Sequence, residues 1–355
     1  MLDPSQAIRG RGVTKNPQNR FDEITYVRDE EWDEEEAPRP GTQYLPDASK
    51  SIIATNDSPD VGFDASINPY RGCEHGCVYC YARPSHEFFG YSAGLDFETK
   101  IFVKHDAPEL LRKELMSRRW VPKVLAISGV TDPYQPIERK LRITRRCLEV
   151  LAEFRNPCGI ITKNRLVTRD IDILQELVRF NAARVFISIT TLDVALNRVM
   201  EPRTSLPQQR LDAVRTLADA GIPVGVMVAP IVPGLTDEEI PRILEASAKA
   251  GAQHAGFVML RLPFAVAPLF EAWLEQHYPA RKEKILNRVR DVRGGKLYQS
   301  EWGSRQRGEG FYAEQIANIF KIACSKFGLN QATLHLSADA FRRTDGNQMQ
   351  LFDDS

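Results

Sequence analysis

From residue 61 to about residue 260 the chain alternates short β-branched runs with longer amphipathic stretches, and this alternation limits the fold more than any other feature. The strand candidates are DASINPY (64–70), KVLAISG (123–129), CGIITK (158–163), ARVFISIT (183–190), IPVGVMVAP (222–230) and HAGFVML (254–260). Residues 107–120, 139–154, 169–180, 206–221 and 237–251 space their apolar side chains like helices, with Gly221 and Gly251 where a helix end favours a left-handed residue. Strand–helix steps of roughly thirty residues predict an α/β fold with a parallel sheet and right-handed crossovers. An open six-stranded barrel fits better than a doubly wound sheet, although periodicity alone does not separate them. The 355 residues suffice for one barrel-sized domain or two smaller ones. In a parallel barrel the chemistry sits at the C-terminal strand ends, where Ser128, Thr131, Lys163 and Ser188 fall.

Outside this core the pattern changes. Residues 1–60 carry 7 Lys/Arg against 13 Asp/Glu, including the run DEEWDEEE, and read as a largely disordered acidic arm. Trp32 lies inside that run, and RGRG at 9–12 is a candidate phosphate contact. Residues 261–345 read as an extension with helices at 268–291 and 311–327, and residues 346–355 as a flexible tail. Formal net charge is zero, so an acidic arm sits on a mildly basic body. Between Arg281 and Arg307 there are nine Lys/Arg and three Asp/Glu, with Tyr298 and Trp302 interleaved. Basic groups neutralise phosphates and rings stack on bases, but an exposed helix and a Gly-rich loop explain the segment equally well. No secretory signal or run of eighteen apolar residues is present, which predicts a cytoplasmic protein with reduced thiols.

Three of the six cysteines lie in RGCEHGCVYCYARP, at Cys73, Cys77 and Cys80, directly after the first predicted strand. Soft thiolates at this spacing suit zinc or an iron–sulfur cluster. Structural zinc wants four ligands, and His75 is the only candidate for the fourth inside the loop. A 4Fe–4S cubane normally uses four cysteines; with three, one iron keeps open sites for another molecule.

Cys-x3-Cys-x-aromatic-Cys, with Tyr79 as the aromatic residue, resembles the signature of radical S-adenosylmethionine enzymes over about residues 61–260. NPYRGCEHGCVYCYAR, KIFVKHDAPELLRKEL and SGVTDPYQPIE are similar to the branch that holds spore photoproduct lyase and its photolyase-like relatives. The resemblance implies a partial (β/α)6 TIM-type barrel and a 4Fe–4S cluster on Cys73, Cys77 and Cys80. It implies S-adenosyl-L-methionine chelated to the open iron, and a reducing partner such as flavodoxin or ferredoxin. Cleavage to a 5′-deoxyadenosyl radical that abstracts hydrogen from substrate follows by the same likeness. Ser128, Thr131, Asp132, Lys163 and Ser188 would hold the methionyl group and ribose, Tyr79 would approach the adenine, and Arg203 would meet the carboxylate.

The lyase draws its hydrogen atom from a cysteine near the second strand. KVLAISGVTDPYQP has none, so the thymine-dimer reaction is not carried over, and Tyr134 is the donor candidate in that stretch. Cys147, Cys158 and Cys324 read as buried apolar-like residues. The sequence does not name the substrate, and nucleic acid in a repair-like reaction is the first candidate. The alternatives are radical modification of a protein or small molecule, and a non-enzymatic iron–sulfur or zinc module. The terminal QMQLF resembles the pentapeptide with which bacterial repair proteins bind the sliding clamp, through Gln348, Leu351 and Phe352.

Overall fold

The computed structural model describes residues 8–22, 41–333 and 335–343. Its strands in chain order are β1 (Gln43–Pro46), β2 (Ile53–Thr55), β3 (Ala65–Ile67), β4 (Tyr70–Arg71), β5 (Lys100–Val103), β6 (Leu125–Ile127), β7 (Cys158–Thr162), β8 (Ala183–Ser188), β9 (Val224–Ile231) and β10 (His254–Met259). The main sheet has the order β10-β9-β8-β7-β6-β3-β2. Its six strands from β3 to β10 run parallel, and β2 lies antiparallel on β3. Among the described residues the edges β2 and β10 do not pair, so the (β/α)6 barrel is open on one side. A small sheet of order β1-β5-β4 carries the loop where the cysteines lie.

The expected strands all form, because each β-branched run meets an amphipathic helix. The helix Ile143–Phe154 buries Ile143, Cys147, Leu148, Val150, Leu151 and Phe154, a 3-4 spacing that gives one apolar face. Along β7, Cys158 and Ile160 join the helix-packed core while Gly159 and Ile161 line a central cavity. Each isoleucine or valine so buried stabilises the fold by about 1.5–3 kcal/mol. Gly221 ends the helix Pro207–Asp219 at φ +76°, and the Ile222 amide donates back to the Leu217 carbonyl at 3.0 Å. The crossover between β8 and β9 holds a second helix, Val194–Met200, which Asp193 caps by accepting from the Ala195 and Leu196 amides.

Two expectations need correction. The described parts of residues 1–60 are not a loose arm: β1 pairs with β5, β2 pairs with β3, and residues 8–22 pack on the cysteine loop. These short stretches lack periodicity because they dock on strands and carbonyls of the body. The single helix predicted at 268–291 is two, Val266–His277 and Lys282–Asp291, because Pro279 has no amide proton to continue the first.

Most of the basic segment is spent inside the fold. Arg293 is buried and donates to the Met259, Leu260 and Ser304 carbonyls. Arg281 donates to the Gly234 carbonyl, Lys282 pairs with Glu275, Arg288 with Asp291 and Arg290 with Glu283. Arg305 pairs with Asp60 and donates to Ser58, while the Gly303 amide donates to Asp60 at 2.6 Å. The short helix Ser304–Arg307 thereby bridges the open side, from β10 to the loop between β2 and β3. The acidic run with Trp32 and the QMQLF tail with Gln348, Leu351 and Phe352 lie outside the described residues.

Candidate active site

The cysteine loop is shaped by two glycines. Gly72 and Gly76 adopt φ of +75° and +66°, and a Cβ on Gly76 would stand 2.7 Å from Glu98 Oε2. Its amides and carbonyls are held from two directions: Cys73 N–H donates to the Phe97 carbonyl (2.9 Å), Val78 N–H to the Met200 carbonyl (3.1 Å), and Arg203 N–H to the His75 carbonyl (3.3 Å). Arg83, wholly buried, donates to the Cys77 and Gly76 carbonyls at 3.0 and 3.3 Å and pairs with buried Glu98 at 2.5 Å. The other Glu98 oxygen accepts the Gly12 amide at 3.0 Å, and Arg11 donates to the Glu98 carbonyl and to Thr42. Arg11 and Gly12 of RGRG therefore brace the back of the loop.

Cys73, Cys77 and Cys80 are free thiols, and all three line one cavity of about 480 Å³. Burial pushes each thiol up, and nearby Asp132 and Glu201 add to this at Cys73 and Cys77. Thiolates in such a place need compensating positive charge, which a metal centre supplies. Among the described residues no three His, Cys, Asp or Glu side chains converge on a single-ion site. His75 is engaged elsewhere, with Nδ1 3.4 Å from Asp132 and Nε2 3.3 Å from Asn164. Cys147, Cys158 and Cys324 are buried and do not line the cavity.

The cavity runs from the C-terminal strand ends down the lumen as far as Val124, Gly159 and Arg184. Tyr79, Ser128, Thr131, Asp132, Lys163 and Ser188 all lie on its wall. Their roles differ from one another. Asp132 is saturated: Oδ1 accepts from the Thr162 hydroxyl (2.7 Å) and Tyr134 amide (2.8 Å), and Oδ2 accepts the Lys163 amide (2.8 Å). Burial would push its carboxyl up, but His75 and these donors hold it below the usual range. Asp132 thus ties β6 to β7 and orients Lys163. Ser128 takes a strained φ of +152° beside Gly129 and donates to the Thr131 carbonyl at 3.2 Å. Thr131 donates to the Tyr70 carbonyl.

Lys163 reaches across the mouth to the Ala229 carbonyl at 2.8 Å, with Nζ 5.8 Å from the centre of the Tyr79 ring. It also faces Glu201 at 3.5 Å. Glu201 is wholly buried and accepts from the Tyr79 hydroxyl, Thr190 (2.7 Å), Asn197 (3.0 Å) and Arg210 (2.5 Å). Burial alone would raise its carboxyl, but Arg210 and Lys163 hold it far below the usual range. Sequence reasoning missed Glu201, although it stands two residues before Arg203 with Arg210 following on the predicted helix.

Two other expectations fail. Arg203 is not on the cavity wall; it pairs with Glu74 at 3.3 Å on the far side of the loop, beside Tyr44. Tyr134 is wholly buried, donates to Asp170 at 3.1 Å and does not reach the cavity, so it is no hydrogen donor there. At the second barrel strand the wall is Ala126.

Residues 67–246 match the model of the radical SAM superfamily, and the chain belongs to that superfamily as a radical SAM enzyme. It is 34% identical to an uncharacterized protein of Mycobacterium tuberculosis over 65% of this chain and 67% of that one. It is 26% identical to the Radical SAM Nalpha-GlyT isomerase of Pseudomonas phage M6, over 75% of this chain and 52% of the phage protein. Among solved structures it is similar to spore photoproduct lyase complexed with a dinucleoside spore photoproduct. That match has a TM-score of 0.58 at 19% identity and covers 81% of this chain and 80% of the other. Among the described residues no helix is long and apolar enough to cross a membrane.

Proposed function

We propose that Cys73, Cys77 and Cys80 hold a 4Fe–4S cluster whose open iron takes S-adenosyl-L-methionine, and that the enzyme abstracts hydrogen from a nucleic acid substrate. The observation that carries this is the opening of three free thiols onto the same cavity as the polar strand ends. Zinc is disfavoured because it needs four ligands around one point, whereas the trio does not converge on one and His75 is held by Asp132 and Asn164. A cubane takes each thiolate on a separate iron.

Once bound, the cluster and S-adenosylmethionine supply an electron and a 5′-deoxyadenosyl radical. The chain does the positioning. Lys163 brings an ammonium to the mouth within reach of a carboxylate, and Ser188 and Ser128 offer hydroxyls at neighbouring strand ends. Tyr79 presents a ring face whose hydroxyl is locked on Glu201. The lumen beyond, kept wide by Ala126, Gly159 and Gly256, has room for a substrate group. The solved lyase complex with a dinucleoside spore photoproduct supports a nucleoside-containing substrate. The lyase reaction itself is not proposed, since Ala126 and no thiol faces the lumen at the second strand. A cytoplasmic site, an electron donor of the flavodoxin or ferredoxin kind, and clamp binding through Gln348, Leu351 and Phe352 complete the reading; the last rests on sequence alone.

The test is anaerobic reconstitution followed by iron and sulfide counting and assay of 5′-deoxyadenosine with dithionite. Cys73→Ala, Cys77→Ala or Cys80→Ala should abolish cluster and product, whereas Cys147→Ala and Cys324→Ala should keep the cluster. Product from the Cys77→Ala protein would overturn the assignment.

A further inference from the structure

The wall of the cavity carries four cationic side chains, Lys163, Arg184, Arg261 and Arg307, and two carboxylates, Asp60 and Asp132. Both carboxylates are already engaged. Asp132 accepts from His75, Thr162 and two amides, and Asp60 is held by Arg305 and the Gly303 amide. Lys163 is committed to Glu201 and the Ala229 carbonyl. Arg261 and Arg307 differ: among the described residues neither forms an ion pair or a side-chain hydrogen bond. Instead each guanidinium lies over a ring, Arg261 4.5 Å from the centre of Tyr81 and Arg307 4.4 Å from that of Phe257. Stacking fixes the plane of a guanidinium and leaves its N–H fork free for a bidentate acceptor.

Their place in the fold gives this geometry a use. Tyr81 follows Cys80, and its hydroxyl donates to the Gly129 carbonyl at the strained β6 loop, so Arg261 stands beside the reactive end of the cavity. Arg307 ends the short helix that bridges the open side. It is the arginine of the basic segment that reaches the cavity wall, along with Gln306. Tyr81, on the wall, is 47% exposed. Phe264, three residues past Arg261, is 60% exposed, and Trp302, next to the Gly303 that holds Asp60, 57%. Phe264 packs against Tyr298 with Arg20 4.1 Å over it. Free forks beside exposed rings are the two elements that grip a single strand, one for phosphates and one for bases.

We infer that Arg261 and Arg307 form the anion-reading part of the substrate pocket and take phosphodiester groups of a single-stranded or unpaired nucleic acid at the open side of the barrel. This rests on the reading of the cavity as the substrate site of the radical enzyme. A carboxylate would satisfy the same forks. The exposed rings favour nucleic acid, because a peptide carboxylate does not call for stacking surfaces.

The experiment measures binding of a labelled short oligothymidylate to the full-length protein across a salt series, with no reductant and no S-adenosylmethionine. Arg261→Gln and Arg307→Gln should each weaken binding about tenfold, and each should lower the slope of log K against log salt by about 0.7, the value for one lost single-strand phosphate contact. An oligothymidylate with uncharged methylphosphonate links should bind the wild type no better than the phosphodiester binds the double variant. Melting temperatures establish that the variants are folded. A slope unchanged in both variants overturns the inference, as does a wild type that prefers an acidic peptide or binds neither probe. Since no radical chemistry is involved, a failure here leaves 5′-deoxyadenosine formation to be judged separately, and the reverse holds too.

Discussion

Arg83 and Glu98 meet as a wholly buried ion pair at 2.5 Å directly beneath the cysteine loop. Arg83 also donates to the Cys77 and Gly76 carbonyls, so the pair sets the height of the loop as well as its own charge balance. Burial pushes the Glu98 carboxyl up, and Arg83 pulls it only part of the way back. Removing one partner strands the other. Glu98→Leu should cost about 3–5 kcal/mol in denaturant unfolding, and Arg83→Met with Glu98→Leu should be less destabilised than Glu98→Leu alone. A double variant as unstable as the sum of the single ones would show that the pair is not coupled.

Gly12 braces the same loop from the N-terminal side. A Cβ there would stand 1.6 Å from the Gly76 carbonyl oxygen, a clash with backbone that no rotamer relieves, whereas a Cβ on Gly41 meets nothing within 4 Å. Gly12→Ala should therefore reduce iron bound per chain after anaerobic reconstitution, and Gly41→Ala should not. Equal loading of the two proteins would mean that the loop forms without its brace.

Lys163 and Ser188 are expected to contact S-adenosylmethionine from the mouth of the barrel. Alanine at either should weaken cofactor binding by about 1–3 kcal/mol in calorimetry, the scale of a lost charge-assisted or buried hydrogen bond. Glu201 acts on the same site as a positioning residue. Glu201→Gln keeps its shape but removes the charge facing Lys163 and Arg210. It should weaken the cofactor by a similar factor in the Lys163 background of the wild type and have little effect once Lys163 is alanine. Additive losses in that cycle would place Glu201 outside the site.

His86 gives the pH dependence a definite sign. Burial lowers its imidazole to about 4 from the ordinary value near 6.5, while Nε2 lies 2.9 Å from the Lys100 carbonyl. Below about pH 6.5 the unfolded chain takes up a proton that the folded chain refuses. Stability is therefore full above that pH, falls as pH drops toward about 4, and levels off below it, a loss of about 3 kcal/mol at most. His86→Gln should remove this part of the acid destabilisation, measured as unfolding free energy against pH. An acid limb of unchanged depth would remove His86 from the account.

Much of the barrel was legible because its causes are local. β-branched runs such as VFIS in β8 and 3-4 spaced helices such as Ile143–Phe154 declare themselves in periodicity, and Gly221 marks a helix end by its conformational freedom alone. The cysteine spacing is equally local, since one turn of loop must present three thiols. Residues 43–46 and 53–55 were unreadable for the opposite reason. They are short strands that exist only because β5 and β3 offer them edges to pair with.

The site divides along the same line. Sequence alone determined which side chains stand at the strand ends, because the period of a strand and the length of a crossover put Ser128, Thr131, Lys163 and Ser188 at one mouth. Tertiary structure decided what each does there. Asp132 turned inward to four donors, Arg203 turned away to Glu74, Tyr134 sank onto Asp170, and Glu201 gathered Tyr79, Lys163 and Arg210 from three separate elements. The basic segment lost most of its charge to carbonyls and carboxylates of the body and kept Arg307 for the cavity. Such partnerships join residues tens to hundreds of positions apart, and burial chooses among them, because a buried charge or donor must find its partner wherever the packed chain supplies one.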